Sequence, residues 1–212
     1  MKVEHQLNDF ERLLIERRSV RHYDPDFVIS EQELKDMLQK SMRAPSFNNL
    51  QPWRFIVFTD PDLKEKLLPI AYNQQQVLEA SAVIAFLGDL EADNLTDDIY
   101  NRALEKGYMT DDIRNTLVGN IKGLMSHLSP ETIKDNVIFD VGLVTMQFML
   151  VAKAHGFDTV AMAGYDARKF AETFNIPKRY IPITLMSVGK ALREGHPTVR
   201  LSVDEVLFWN GL

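Results

Sequence analysis

The chain contains no cysteine. That excludes disulfides, thiol nucleophiles, iron–sulfur ligation and most structural zinc sites. It suits a reducing cytoplasm, the location expected here, although chains of either compartment can lack cysteine. Nor is there a basic excess. Against 30 Asp and Glu stand 24 Lys and Arg, for a net charge of −6, the wrong sign for a general nucleic-acid binder. The five histidines, at 5, 22, 127, 155 and 196, stand at no ligand spacing, so no metal site is expected. Also missing are Gly-x-Gly-x-x-Gly, a Walker loop and a nucleophile-elbow serine. No uninterrupted apolar run is long enough for a bilayer, and the stretch from Glu4 to Arg12, polar except for Leu7 and Phe10, is no signal peptide. Neither nucleic acid nor a membrane is expected as a partner.

What is present is ordinary in bulk: 212 residues, 45% hydrophobic and 25% charged, enough for one substantial core and a single domain over 1–212. Phe10, Leu13 and Leu14 predict a helix over about 7–17. It runs into Arg17-Arg18-Ser19-Val20-Arg21. If this segment is extended, Arg17, Ser19 and Arg21 share one face. Guanidiniums and a hydroxyl on one face make a fork for phosphate; the plain alternative is a solvated basic face at a helix C-terminus. Ser30, with Glu33 as a capping box, opens a second helix whose inward stripe is Leu34, Met37, Leu38 and Met42.

Next comes Ala44-Pro45-Ser46-Phe47-Asn48-Asn49-Leu50-Gln51-Pro52-Trp53-Arg54-Phe55. Prolines bar helix and central strand at both ends. Between them Ser46, Asn48, Asn49 and Gln51 crowd donors and acceptors into a small space that suits a polar ligand; an ordinary turn uses the same residues. Phe55–Phe58 then reads as strand.

Taken together, the Arg-Arg-Ser-Val-Arg segment, the capped helix, Ala-Pro-Ser-x-x-Asn-x-Gln-Pro-Trp-Arg-Phe and the following strand resemble the nitroreductase family of FMN-dependent oxidoreductases. The resemblance runs on to the C-terminus. It implies an α+β fold, a mostly antiparallel central sheet surrounded by helices, in an intertwined homodimer with FMN at the subunit interface and NADH or NADPH as hydride donor. On the same ground it assigns Arg17, Arg18, Ser19, Arg21 and Arg200 to the phosphate and ribityl side. Pro45, Ser46, Asn49 and Gln51 are assigned to the flavin of the other subunit.

Pro61-Asp62 opens a helix with Leu63, Leu67 and Leu68 inward. Tyr72-Asn73-Gln74-Gln75-Gln76 follows, by composition a surface linker. The resemblance makes Asn73 and Gln76 candidates for the flavin ring edge, although a lysine often stands in relatives where Gln76 stands. Ser81–Gly88 reads as a buried strand. From about 91 to 131 the chain is acidic and helical, broken near Gly107 and Thr110. It is either an added helical pair on the surface or, by the resemblance, a variable excursion over the substrate side of the flavin.

A helix over about 131–155 is apolar around nearly all its circumference, which demands burial on all sides; a second subunit covering one face meets that demand. Its Asp140 and Gln147 are expected to find buried partners. Phe157–Asp166 reads as strand and turn, with Asp166 capping the next short helix. Gly164 admits close backbone approach; the resemblance puts its N–H near the flavin N5, with Ala163 where some relatives carry a glutamate. Ile181–Gly189 is another strand. In the tail Thr198 stands in place of a lysine of some relatives, and Val206–Asn210 is too apolar to be free.

No dedicated catalytic side chain is expected, because the cofactor carries the redox chemistry. The expected reaction is reduction of a small acceptor, a nitroaromatic or quinone, in a ping-pong cycle. The alternatives are a flavin reductase, another FMN-dependent dehydrogenase or dehalogenase on the same scaffold, and a non-enzymatic interaction module.

Overall fold

The computed structural model describes residues 8–211. His5, the polar stretch before residue 8 and the expected helix start at residue 7 lie outside the described residues, as does Leu212. Four strands form one sheet: β1 (Trp53–Phe58), β2 (Ala82–Asp89), β3 (Asp158–Met162) and β4 (Tyr180–Gly189). Their order is β1-β2-β4-β3 and each pair is antiparallel. The helices are α1 (Asp9–Glu16), α2 (Glu31–Ser41), α3 (Pro61–Leu67), α4 (Gln76–Glu79), α5 (Thr96–Glu105), α6 (Asp111–Met125), α7 (Pro130–Ala154), α8 (Ala167–Thr173) and α9 (Val203–Val206). This is the α+β architecture expected.

β2 shows why the sheet is sandwiched. Every residue of it is buried, and successive side chains go to opposite faces. Ala82, Ile84 and Phe86 join α2 and α7 in one core, while Val83, Ala85 and Leu87 join α3 and α8 in another. Phe86 meets Phe55 at 5.2 Å and Phe148 at 5.7 Å between ring centroids. Each such buried ring contributes about 1.5–3 kcal/mol.

The helix caps follow local chemistry. Ser30 Oγ accepts from Glu33 N at 3.1 Å. The return half of the expected box is replaced, because the Glu33 carboxylate goes to His155 Nδ1 at 2.5 Å. Leu34 and Met37 are buried as expected. Leu63 is not: it faces outward at 37% exposure, while Leu67 is fully buried, since the short α3 turns only one narrow side to the sheet. Between α5 and α6 the chain reverses at Gly107, whose φ of +70° favours glycine, and Thr110 caps α6.

α7 departs from the expectation of burial on all sides. Val137, Asp140, Val141, Val144 and Phe148 are buried against the sheet and α2. The opposite side is open, with Phe139 at 67% exposure and Ile138, Gly142 and Met146 beside it. By length and composition alone this 25-residue helix is apolar enough to cross a membrane, although Asp135 and Asp140 keep its apolar run from being uninterrupted. An apolar groove of about 510 Å³ lies along this side, lined by Phe10, Leu13, Pro45, Gly142, Met146 and Leu150 among others.

Candidate functional site

Two groups of the expected residues come together in the structure, and each is built differently. The first lies along β3, the sheet's edge strand. After α1 the chain runs extended beside it: Ser19 forms a parallel bridge to Thr159, and Val20 N–H donates to Thr159 O at 3.1 Å. Val20 is buried, so Ser19 and Arg21 are left on the exposed side. Two of the carboxylates nearby are paired with other residues. Glu79 faces His22 at 3.5 Å and Asp158 holds Lys153 at 2.9 Å; Arg17 and Arg21 have no ion pair among the described residues. Arg18 points elsewhere. Its guanidinium folds back onto the carbonyls of Ile15 and Arg17, and it lines a cleft with Glu16, Asp158 and Glu194.

At the far end of β3 stand Ala163 and Gly164, both exposed. A Cβ at Gly164 would meet nothing within 4 Å. Gly164 O accepts from Gln74 Nε2 at 2.9 Å, and Asp166 N–H donates to Ile70 O at 2.9 Å. The loop after α3 is thereby fastened to the end of β3. Tyr72 and Asn73 in that loop are both left-handed, with φ of 52° and 57°. Asn73 is exposed. Gln76 is turned inward at 5% exposure, donating to Gln74 Oε1 at 2.9 Å and to Met162 Sδ at 3.4 Å. The residue that touches Gly164 is thus Gln74, which sequence reasoning passed over. Three identical glutamines offered no signal to choose among them.

The second group is the proline-bounded loop. Asn48, Asn49 and Gln51 all have positive φ, at 48°, 53° and 49°. Such backbone is sparsely populated for non-glycine residues, and Asn tolerates it best. Ser46 Oγ accepts from Gln51 N at 3.0 Å and closes the turn. Gln51 Nε2 donates to Asn49 O at 3.1 Å. Three side chains from elsewhere hold the loop. Both oxygens of Asp140 accept from Phe47 N, Tyr100 Oη donates to Asn48 O at 3.3 Å, and Arg54 Nη1 donates to Gln51 O at 3.0 Å. Asn49 and Gln51 line a groove of about 480 Å³ with Ile99 and Arg102 of α5 and Lys106 just past its end. No hydrogen bond or ion pair among the described residues joins this loop to Ser19 or to Gly164.

Left-handed residues other than glycine mark strain that functional sites tolerate. Of the seven in the described chain, five fall in these two loops. Two buried polar atoms here also lack a partner among the described residues: Asn48 Nδ2 in the turn and Thr159 Oγ1 at the Ser19 bridge.

Arg200 lies in the tail. It is exposed, and Nη1 donates to Thr198 Oγ1 and Val199 O, each at 2.8 Å. The tail nevertheless leaves the body beside the arginine segment. A Cβ on Gly195 would sit 2.5 Å from Arg18 Cβ and 3.0 Å from Ser19 O, so the chain passes directly over Ser19 there. Beyond it Val199, Leu201, Phe208 and Trp209 are open, at 94%, 69%, 60% and 80% exposure.

The α+β fold, with a basic segment beside β3, a glycine past that strand's other end and a separate amide loop, is the arrangement the sequence resemblance implied, and comparison with known proteins shows the family. The family model described as "Nitroreductase family" matches residues 14–190. Over 204 residues the chain is 42% identical to YdgI of Bacillus subtilis, a protein named as an NAD(P)H nitroreductase, covering 95% of this chain and 98% of that one. It is 35% identical over 196 residues to the CLA biosynthesis enone reductase of Lactiplantibacillus plantarum, covering 91% and 90%. A nitroreductase-type protein of Exiguobacterium sibiricum, solved in complex with FMN, superposes with a TM-score of 0.93 at 41% identity, covering 97% of this chain and 99% of that one. The chain belongs to the nitroreductase family. It is an oxidoreductase enzyme.

Proposed function

We propose that the protein is an FMN-dependent oxidoreductase that works as a homodimer, takes electrons from NADH or NADPH, and passes them to small nitroaromatic or quinone acceptors in a ping-pong cycle. Relatives and structural neighbours carrying those names support the class. The observation that carries the reading is the placement of the arginine segment and Gly164 at opposite ends of β3. Gly164 stands five positions beyond Thr159, a span of about 17 Å at the rise of a strand. That length suits a phosphate at one end and a flavin ring at the other. Arg17, Ser19 and Arg21, joined by Arg200, hold the phosphate with charge-assisted bonds. Asn73 and Gln74 stand at the ring end, with Gln76 orienting Gln74 from below. The unpartnered Thr159 Oγ1 and Asn48 Nδ2 fit a ligand rich in hydroxyls and carbonyls.

Pro45, Ser46, Asn49 and Gln51 serve the site of the second copy. Pro45 already lines the apolar groove along the open side of α7, the side that a second copy covers, and the exposed apolar tail packs across that copy. The location proposed is the cytoplasm, where NAD(P)H is at hand. Bound FMN supplies the two-electron chemistry. The chain's part is to anchor the phosphate, to present the Gly164 backbone N–H where negative charge develops, and to leave one face open for donor and acceptor in turn. Protons come from solvent. The test is an absorbance spectrum of the purified dimer followed by NAD(P)H bleaching under nitrogen and initial-rate kinetics. A visible flavin band, bleaching, and parallel double-reciprocal lines are expected; a protein that stays colourless after incubation with FMN overturns the reading.

A second reading of the acceptor rests on the similarity to the enone reductase: an activated carbon–carbon double bond conjugated to a carbonyl. Assays with a quinone, a nitroaromatic, an enone and free flavin, compared by kcat/KM, separate the readings.

A further inference from the structure

Asp140 sits mid-way along α7 on its buried side, 3% exposed, among Val137, Val141 and Val144. Among the described residues it is a carboxylate with a single hydrogen-bond donor: Phe47 N–H lies 3.1 Å from Oδ1 and 3.0 Å from Oδ2. Around it is a small cavity of about 20 Å³, lined by Phe47, Leu50, Asn136 and Val137 among others. Burial pushes its carboxyl above the ordinary value, opposed by the Phe47 N–H. An apolar side chain would cost less in such surroundings, so what the carboxylate holds has to matter. It holds the entry to a turn that does not stand by itself. Asn48, Asn49 and Gln51 follow with left-handed backbone, and each of them gains freedom by relaxing. Of the three outside tethers, those of Tyr100 and Arg54 come from partly exposed side chains and take carbonyls; Asp140 alone is buried and takes an N–H. On the other side of the same helix Phe139 and Gly142 form the open face.

We infer that Asp140 is a positioning residue. As the acceptor for Phe47 N–H it locks the Phe47–Gln51 turn into the shape that receives the flavin of the second copy, and it ties that turn to the helix whose open side the copy covers. The inference rests on the flavin reading above. Its test compares the dimeric wild type with Asp140→Asn, which keeps an acceptor oxygen, and Asp140→Leu, which has none. The readouts are the FMN dissociation constant by fluorescence and amide hydrogen exchange of the apoprotein in two peptides, 46–52 and 158–164. In D140L the dissociation constant rises about tenfold or more, the weight of one hydrogen bond to a charged group, and exchange quickens in 46–52 alone. D140N loses only a few-fold, less than D140L, because a neutral acceptor keeps about half of such a bond. If D140L does not fold, Asp140→Ser replaces it: its short hydroxyl can satisfy itself on its own helix, as Thr145 does by donating to Val141 O at 2.7 Å.

A variant that melts lower but binds FMN as wild type does and keeps slow exchange in 46–52 shows a merely structural role and overturns the inference. D140N behaving like D140L overturns the acceptor assignment. A wild type that takes up no FMN overturns the flavin reading and this inference with it, a result distinct from normal uptake by every variant.

Discussion

The two halves of the candidate site are held in place by different means. Along β3, position comes mainly from the main chain: Ser19 bridges Thr159, Val20 N–H donates to Thr159 O, and Asp166 N–H donates to Ile70 O, with one side-chain bond, Gln74 Nε2 to Gly164 O, at the far end. In the Phe47–Gln51 turn, position comes from side chains on three separate elements, Tyr100 of α5, Asp140 of α7 and Arg54 of β1. A ladder shares its load over several backbone bonds, none of which a substitution removes. A tether is one side chain and fails with it. The strand half should therefore lose ligand without losing structure, and the turn half should lose both together.

The sharpest way to test that contrast is to strip the strand half of its charge. Replacing Arg17 and Arg21 together by Ala removes the two charge-assisted contacts proposed for the FMN phosphate, worth about 1.5–3 kcal/mol each. Retention of FMN should fall by at least about a hundredfold on those values. The apoprotein should melt as before, since neither guanidinium has an ion pair among the described residues and the Val20 bond to Thr159 is untouched. A titration with FMN beside a melting curve of the apo form decides it. A double variant with normal affinity takes the arginine segment out of the site.

Next in size is Asp89→Ala, which attacks the turn from behind. Asp89 is fully buried and accepts from Arg54 Nη2 at 2.6 Å and from Arg179 Nε and Nη2 at 3.0 and 2.7 Å. The same Arg54 grips Gln51 O. Removing the carboxylate leaves two guanidiniums without their shared partner, at a cost of about 3 kcal/mol. The denaturant midpoint should drop, and limited proteolysis should cut near Gln51 before it cuts near β3. Equal protection of the two regions breaks the comparison drawn here.

How much of this was legible beforehand follows the same division. Local chemistry was readable: Ser30 as a cap, the two-faced burial of β2, the break at Gly107 and Thr110, and the extended run through Ser19 all depend on residues a few positions apart. Contacts across the chain were not. Asp140 was expected to find a buried partner, but its partner lies 93 residues away, and nothing in either segment names the other. Gln74 was hidden between Asn73 and Gln76 because the choice among them is made by two left-handed residues, Tyr72 and Asn73, whose conformation composition does not specify. α7 looked uniformly apolar in sequence, so its covered and open sides became distinguishable only when the sheet was in place.

The smallest effect tests the outermost tether. Tyr100, whose hydroxyl reaches Asn48 O, rides on α5, and α5 is fastened to α6 through Asp97, which pairs with Lys122 and, at 2.7 Å, with Arg114. The Lys122 hydrogen bond first, and Arg114 after it, hold the Asp97 carboxyl below its ordinary 3.8. A depressed carboxyl stabilises the fold above its unfolded value and loses that contribution as pH falls through the folded one. The fastening is therefore whole at neutral pH and weakens below about pH 4. Acid should lower the amide protection factors in α5 and then in the Phe47–Gln51 turn, each taken relative to the intrinsic exchange rate at that pH, while the backbone-held edge at β3 keeps its protection. Asp97→Asn should show the loosened turn already at pH 7 and little further change on acidification. Two other carboxylates are depressed by their own partners, Asp36 by Lys40 and Glu205 by Ser202, and neither touches the turn. If Asp97→Asn leaves the acid response of the turn unaltered, the α5–α6 fastening does not carry the load of Tyr100, and the turn hangs on Asp140 and Arg54 alone.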